Sequence, residues 1–288
     1  MLLADWEGTT APPFVLFKSA PAKTDPKKEA NKNLRNGFGV TVWKEIRALQ
    51  EEHKCHIYGN KAACWNHELS LTFLEFNFAD RENPDENVLL IWDDFSGHWT
   101  ADVLAYAASL NVILVKVPPK YTYVCQPADV SWNKPFKTAL RKCWVDRLRN
   151  ELVKYRADEK IRERNREALG QKIMTACKEL IQVEADEEVA RLREEYKEEP
   201  FKLTAPNRVD ITQWVVSCWN ALTTKTIVGG FARVGILNDT RSCDNELQSD
   251  EIESDIVEEL EKCRLAGDEI CSDDDISDGS SSDSREDE

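Results

Sequence analysis

Two short apolar runs with a helical stretch between them stand out in the middle of the chain. The first, Val88 to Trp92, is followed at once by Asp93, and the second is Val112 to Pro118. Apolar runs of this length, of which the second is broken only by Lys116, are typical of strands buried on both faces of a parallel sheet. Between them, Thr100 to Leu110 predicts a helix with Thr100 as its N-cap. Strand, helix and strand in this order predict a parallel pair joined by a right-handed crossover.

The other apolar positions predict further helices and, at the start, two short strands. Helical spacing is found in Val40 to Glu52, Asn66 to Phe78, a long stretch after Pro135, a charged block from Arg156 to Glu199, Ile211 to Leu222, and Thr223 to Leu237. The predicted strands are Leu2 to Leu3 and Pro12 to Lys18, around a turn at Glu7 and Gly8. The stretch from Ala20 to Asn36 is rich in Lys, Pro and Asn, and we expect a loop there. Together these elements predict an α/β domain followed by a helical region.

Net charge changes this picture only at the end of the chain. The formal charge is −15, and Arg241 to Glu288 holds 19 acidic and 4 basic residues, so the first 240 residues are balanced. This last segment has few large apolar residues, and burial there cannot offset the entropy of ordering. We expect residues 238–288 to be a disordered acidic tail.

Composition also excludes several classes of protein. The chain contains no apolar run near the roughly 20 residues of a membrane-spanning helix. Its first residues lack the basic flank and the long apolar stretch of a secretory signal. Its nine scattered cysteines include no CxxC pair, which suits a reducing compartment. We expect a soluble intracellular protein without a membrane partner.

Two carboxylates are the main candidates for chemistry. Asp93 follows a predicted strand, where open α/β sheets bind their ligands, and Asp129 lies in CQPADVSWNKPFK after the next strand. The connection between them can bring its two ends together, so we expect both side chains to face one cleft. Clustered carboxylates suit Mg²⁺, which prefers oxygen ligands and can clamp the oxygens of a phosphodiester. The pair predicts a hydrolase or strand-transfer site.

Several segments resemble one family. LLIWDDFSGH, which contains Asp93, is similar to the strand that carries the second catalytic aspartate of DDE-type transposases. VPPKYTYVCQPADVSWNKPFK, which contains Asp129, resembles the segment with the third acid in the pogo, Tigger and jerky group. WEGTTAPPFVLFKS, CWNHELSLTFLEF and WNALTTKTIVGGFARVGIL agree with this family. The resemblance covers Leu2 to about Leu237 and implies an α/β ribonuclease-H-like (DDE integrase) fold, in which three carboxylates hold two metal ions that cut and rejoin DNA.

The resemblance implies a role for each matching residue. Asp93 would be the second acid and Asp129 the third, and both would bind Mg²⁺ or Mn²⁺. His98 falls where the family usually has a histidine beside the site, and Gln126 belongs to its Gln-Pro-x-Asp turn. Asp94 departs from the common Asn, so its charge would either bind metal or raise a neighbouring pKa.

The family's first catalytic acid lies on a strand upstream of the segment that matches Leu2 to Lys18. We therefore expect a chain truncated at its amino end, without the central strand of the sheet, and catalytically incomplete because two carboxylates hold the metal weakly. Asp5 or Glu7 could stand in as the first acid, but both lie by a turn that matches a different segment of the family, and the ordinary interpretation is a solvated turn. The expected organisation is a transposase-like core in residues 1–150, a helical C-terminal part in 151–237 and the tail in 238–288.

Basic residues after the second acid predict contact with DNA. Lys134, Lys137 and Arg141 follow the Asp129 turn, with Trp132 and Trp144 interleaved, as in many nucleic-acid grooves. The alternative is the solvated side of an amphipathic helix.

Two other patterns favour packing over function. HKCH and CWNH contain five candidate zinc ligands between His53 and His67 but lack the second half of a zinc finger. Trp214 to Gly235 resembles a helix-turn-helix only in outline, because it carries few basic residues.

Three hypotheses about function stay open. The first is a nuclear, transposase-derived endonuclease-like domain from a transposable element, with DNA as partner and impaired cleavage. The second is a domesticated protein that binds DNA or chromatin without catalysis. The third is a gene-model fragment that does not fold stably. A homo-oligomer is compatible with the first two.

Overall fold

The computed structural model describes residues 1–197 and 200–237. The predicted acidic tail, residues 238–288, lies outside the described residues. Described residues 1–146 and 202–237 form one compact unit, and residues 147–197 with 200–201 belong to a second. The architecture is mixed α/β. Within the described ranges, no helix combines the length and the apolar composition that crossing a membrane requires.

The elements of the first unit alternate between short strands and helices. Its strands are β1 (Phe14–Lys18), β2 (His56–Asn60), β3 (Val88–Trp92) and β4 (Val112–Lys116). Its helices up to β4 are α1 (Asp25–Leu34), α2 (Val40–His53), α3 (His67–Leu74) and α4 (Ala101–Ser109). After β4 come α5 (Thr122–Cys125) and α6 (Asn133–Ala157), in which the boundary between the units falls, and later α9 (Arg208–Asn220) and α10 (Thr224–Arg233). Single π-helical turns cover Glu75–Ala79 and Ala128–Trp132, and a 3₁₀ turn covers Ser96–His98.

The predicted parallel pair is present with the predicted strands. β3 and β4 pair in parallel from Val88 opposite Val112 to Trp92 opposite Lys116, and α4 forms the connection between them. Thr100 occupies the N-cap position of α4, but its hydroxyl makes no capping bond and is buried without a partner. The start of this helix was therefore predicted correctly, but the capping bond was not.

A second parallel pair was not predicted. β1 pairs with β2, with Phe14 opposite His56. The first predicted strand, Leu2 to Leu3, does not form a strand of its own. Its segment carries an antiparallel bridge between Ala4 and Thr10, and the Met1 and Leu3 carbonyls each accept a backbone N–H at 2.9 Å, from Phe14 and Ala11 respectively. Among the described residues, no strand bonds to both pairs, so the structure contains two separate two-stranded sheets.

The stretch from Ala20 to Asn36 was wrongly predicted to be a loop, because α1 occupies most of it. Pro26 lies in the first turn of this helix, where the missing N–H costs nothing. Asp25 accepts from Lys28 at 2.8 Å one turn later. No residue of α1 is buried, so the segment carries no apolar periodicity that could reveal a helix.

An aromatic core surrounds the end of β3. Trp92, Phe73 and Phe14 are buried together with aliphatic residues of α3, α4, β3 and β4. A neighbouring cluster packs α2 and α9 against β1 and β2, and a third joins the Ala128–Trp132 turn to α9 and α10 through Trp132, Trp219 and Ile227. The core therefore fixes the backbone that carries Asp93 and the turn that carries Asp129.

The second unit is the charged helical block predicted from the sequence. Besides the end of α6, it contains α7 (Glu159–Glu179) and α8 (Gln182–Glu195), which pack against each other. Lys172 on α7 lies 4.7 Å from the ring centroid of Tyr196 and 3.8 Å from Glu195. The buried residues of this pair include Ala176, Ala185 and Leu192.

Candidate active site

Asp93 lies at the carboxyl end of β3, held by contacts to one of its two oxygens. Its Oδ1 accepts a hydrogen bond from the Phe95 N–H at 3.0 Å and lies 3.4 Å from His98 Nε2. The hydrogen bond from His98 is the main cause that lowers the pKa of Asp93, while partial burial opposes it and the Phe95 N–H adds to it. The side chain is 41% exposed, and Oδ2 has no partner among the described residues. Asp93 is therefore an ionised carboxylate with one oxygen available to a ligand.

His98 lies beside this carboxylate, as the resemblance implied. Its ring is buried and stacks on Trp92 with a centroid distance of 3.9 Å and an interplanar angle of 13°. Its other nitrogen, Nδ1, lies 2.9 Å from the Ser70 hydroxyl on α3. Sequence reasoning missed Ser70, although one signal was present: it is a polar residue within the apolar face formed by Leu69 and Phe73.

Asp94 is paired with a cation. Its Oδ1 forms an ion pair with Nζ of Lys116, which ends β4 directly opposite Trp92. Lys116 also lies 5.3 Å from the ring centroid of Trp99, whose Nε1 donates to the Asp93 carbonyl at 2.8 Å. The pKa of Asp93 is lowered and not raised, and Asp94 is not among the causes of that shift. The alternative role of Asp94 as a metal ligand stays a prediction.

Asp129 lies on the π-helical turn before α6 and is exposed. Its Oδ1 accepts from the Asn133 amide at 2.6 Å, and its Oδ2 has no partner among the described residues. The turn is fixed to α10, since the Ser131 hydroxyl donates to the Thr226 carbonyl at 2.6 Å. Gly230 permits this approach, because a Cβ there would lie 2.7 Å from the Pro127 carbonyl oxygen.

Gln126 precedes the same turn, in the position that the resemblance implied. Its backbone carbonyl accepts from the Val130 N–H at 3.1 Å. Its side-chain Oε1 is buried without a hydrogen-bonding partner in the described structure. The part that the side chain plays in the site stays a prediction.

A comparison with protein families places these residues in a known context. The model of the family described as DDE superfamily endonuclease matches residues 7–231. The chain belongs to this family. Searches among curated proteins and among solved structures each found no match. The matched range of the DDE domain includes Asp93, Asp94, His98 and Asp129. The family typically uses divalent metal ions and has DNA as its substrate.

The carboxylates of the DDE domain do not form a complete metal site. Within residues 1–197 and 200–237, no group of three or more His, Cys, Asp or Glu side chains is arranged to hold a metal ion. Asp93 and Asp129 each keep one free oxygen of the kind that Mg²⁺ prefers, but Asp94 is engaged by Lys116. The predicted set of three is thus not assembled, and the weaker zinc alternative finds no cluster either.

The helix after Asp129 presents exposed cations. Lys134, Lys137 and Arg141 are exposed on α6 and form no ion pair with any described residue. At about 100° per residue they lie within an arc of roughly 60° on one face, which we call the α6 basic face. One of the two predicted aromatic partners differs from expectation, whereas Trp144 is partly buried and its role stays a prediction. Trp132 is buried in the core against Trp219, where it cannot stack on a base.

Proposed function

We propose that this chain is a transposase-derived DDE domain of the pogo, Tigger and jerky group that binds DNA and in which DNA cleavage is impaired. The family match supports the descent from a DDE nuclease. The motifs around Asp93 and Asp129 support the finer group, and the parallel β3 and β4 pair with Asp93 at its end supports a ribonuclease-H-like arrangement.

DNA binding is supported by the charge pattern around the second acid. The α6 basic face follows the Asp129 turn without a break in the chain, and its three cations have no carboxylate partners in the described structure. Unpaired cations on a helix neutralise phosphates and release counterions, which is the main source of affinity for DNA without sequence preference. A solvated face of ordinary composition would carry acids among its bases.

Impaired cleavage rests on a single observation, that the described residues contain no group of three or more side chains that could hold a metal ion. Asp93 and Asp129 remain as candidates for the second and third acids of the family, but the described residues add no carboxylate to them. The described part of the chain is therefore a DNA-binding scaffold with an incomplete catalytic centre.

The cellular setting follows from DNA as partner. A DNA-binding domain of this origin works in the nucleus, and it binds genomic or chromatin DNA in place of transposon ends. A homo-oligomer would multiply the number of phosphate contacts.

Fluorescence anisotropy with a labelled duplex tests the proposal. The full chain is expected to bind at about 50 mM salt and to release DNA steeply as salt rises, because phosphate contacts dominate. A folded chain that shows no binding at this salt concentration, or binding that salt does not weaken, would overturn it. Circular dichroism of the same sample provides the control for folding.

A further inference from the structure

A buried line of polar groups leads from α3 to the carboxylate of Asp93. Trp65 Nε1 donates to Ser70 Oγ at 3.0 Å, Ser70 Oγ lies 2.9 Å from His98 Nδ1, and His98 Nε2 lies 3.4 Å from Asp93 Oδ1. Ser70 is 0% and His98 1% exposed. Because solvent does not reach the two inner groups, each must be satisfied by the others.

The chemistry of these groups sets the direction of each hydrogen bond. The indole of Trp65 can only donate, so Ser70 Oγ is an acceptor from that side. The Ser70 hydroxyl has two candidate acceptors, the Asn66 carbonyl at 3.2 Å and His98 Nδ1 at 2.9 Å. The Asn66 carbonyl already accepts the Ser70 backbone N–H at 3.1 Å. A carbonyl oxygen has two lone pairs, so this bond alone does not exclude the hydroxyl from Asn66. The Asp93 carboxylate decides the direction, because an ionised oxygen 3.4 Å from Nε2 favours a proton on that nitrogen and leaves Nδ1 to accept from the Ser70 hydroxyl at the shorter distance of 2.9 Å.

A neutral imidazole that accepts at Nδ1 carries its proton on Nε2. In this tautomer the proton is on the nitrogen that lies 3.4 Å from Asp93 Oδ1. In the other tautomer a nitrogen lone pair would face the carboxylate, which repels it. We propose that Ser70 and Trp65 are positioning residues that hold His98 in the Nε2–H tautomer and thereby fix Asp93 with Oδ1 engaged and Oδ2 free. This inference deepens the proposed function, since it concerns the acid assigned to the DDE site.

Packing keeps the ring in the orientation that this relay needs. Trp92 stacks on one face of His98, and the Phe95 ring meets its edge at a centroid distance of 5.2 Å. The turn approaches α3 closely at Gly97, where a Cβ would lie 3.2 Å from the carbonyl carbon of Asn66. The absence of a side chain at Gly97 therefore brings His98 within reach of Ser70.

Long-range ¹H–¹⁵N NMR of the imidazoles tests the tautomer directly in the full chain. The sequence has four histidines, so a His98→Gln variant assigns the signal. At about pH 8.5, two units above the ordinary imidazole pKa of about 6.5, the His98 signal of the wild type is expected to show the Nε2–H pattern alone. An Nδ1–H signal assigned to His98 in the wild type, alone or together with Nε2–H, overturns the proposal without any variant at positions 65 or 70.

Variants of the relay then separate positioning from general stability. Ser70→Ala removes the donor to Nδ1, and the His98 signal is expected to change from one tautomer to a mixture. Thr72→Ala is the matched control, because it deletes a hydroxyl of the same helix that bonds its own i−4 carbonyl at 3.0 Å. An unchanged tautomer in a folded Ser70→Ala protein, or the same change in Thr72→Ala, would refute the role of Ser70.

Trp65→Phe tests the other member, since it keeps a ring but removes the donor to Ser70 Oγ. Without that donor the hydroxyl can turn away from His98, and a partial shift toward the mixture is expected. No shift in a folded variant would remove Trp65 from the proposal. These results are independent of DNA binding. A wild type that does not bind DNA would refute the proposed function alone, whereas the Nδ1–H tautomer at His98 would refute this inference alone.

Discussion

Removal of the α6 basic face should lower the salt dependence of DNA binding by a calculable amount. Lys134 and Arg141 are seven residues apart, which at 1.5 Å per residue is about 10.5 Å along the helix. One DNA strand carries a phosphate every 3.4 Å of axis, so this length matches about three phosphates. The three cations can therefore each meet one phosphate.

The size of the effect follows from counterion release. Each phosphate contact contributes about −0.9 to the slope of log K against log salt concentration, so three contacts contribute about −2.7. Over a rise from about 50 to 200 mM salt, that share corresponds to roughly a 40-fold loss of affinity. In the variant Lys134→Ala, Lys137→Ala, Arg141→Ala this share of the salt dependence should be absent, and each single variant should lose about one unit of slope.

Anisotropy titrations of one labelled duplex at several salt concentrations measure these slopes. Lys142→Ala is the matched control, because Lys142 is exposed on the same helix but points about 100° away from Arg141. Urea unfolding should differ by less than about 0.5 kcal/mol among these surface variants. A triple variant with the wild-type slope would refute the assignment of this face. A Lys142→Ala variant that loses as much slope as the single variants of the α6 basic face would also refute it.

Three further outcomes follow from the structure. Asp93→Asn should lower the free energy of unfolding at pH 7. The difference from the wild type should shrink as pH falls from the ordinary pKa of 3.8 through the lowered pKa of Asp93, because protonation of the carboxylate removes the stabilisation. A difference that stays constant with pH would contradict this. The Cys143 and Cys218 sulfurs, 3.8 Å apart, should close a disulfide when diamide takes up their two electrons and two protons. Intact mass should then show the loss of two hydrogens in the wild type and no loss at this pair in Cys143→Ser. Gly97→Ala should cost about 1–3 kcal/mol in urea unfolding, because its Cβ would lie 2.5 Å from the Phe95 ring, and wild-type stability would contradict that.

The apolar pattern could predict the two strands that form continuous apolar runs, although the expected burial on both faces was wrong, because Leu89, Ile113 and Val115 are exposed. β3 and β4 were predicted correctly because each is a run of five residues with an apolar majority between polar boundaries. β2 was missed because HIYGN places only Ile57 in the core, and its histidine attracted attention as a metal ligand. α1 was missed for the opposite reason, since a helix with no buried residue has no apolar stripe.

The site was predictable only as far as its residues are close in sequence. His98 follows Asp93 by five positions, and a family resemblance was enough to connect them. The contacts that determine the state of the site are long-range: Ser70 reaches His98 across 28 positions, and Lys116 reaches Asp94 through the register of the β3 and β4 pair. No local pattern encodes such a pairing, because it depends on which strand and helix ends the fold brings together.

Nicking of supercoiled plasmid with Mg²⁺ or Mn²⁺ tests the central claim most directly, which is that this DDE domain binds DNA with an incomplete catalytic centre. The full chain, at concentrations that saturate DNA binding, should leave the plasmid supercoiled to the same extent as Asp93→Ala and Asp129→Ala. Metal-dependent nicking by the wild type that both substitutions abolish would contradict the account.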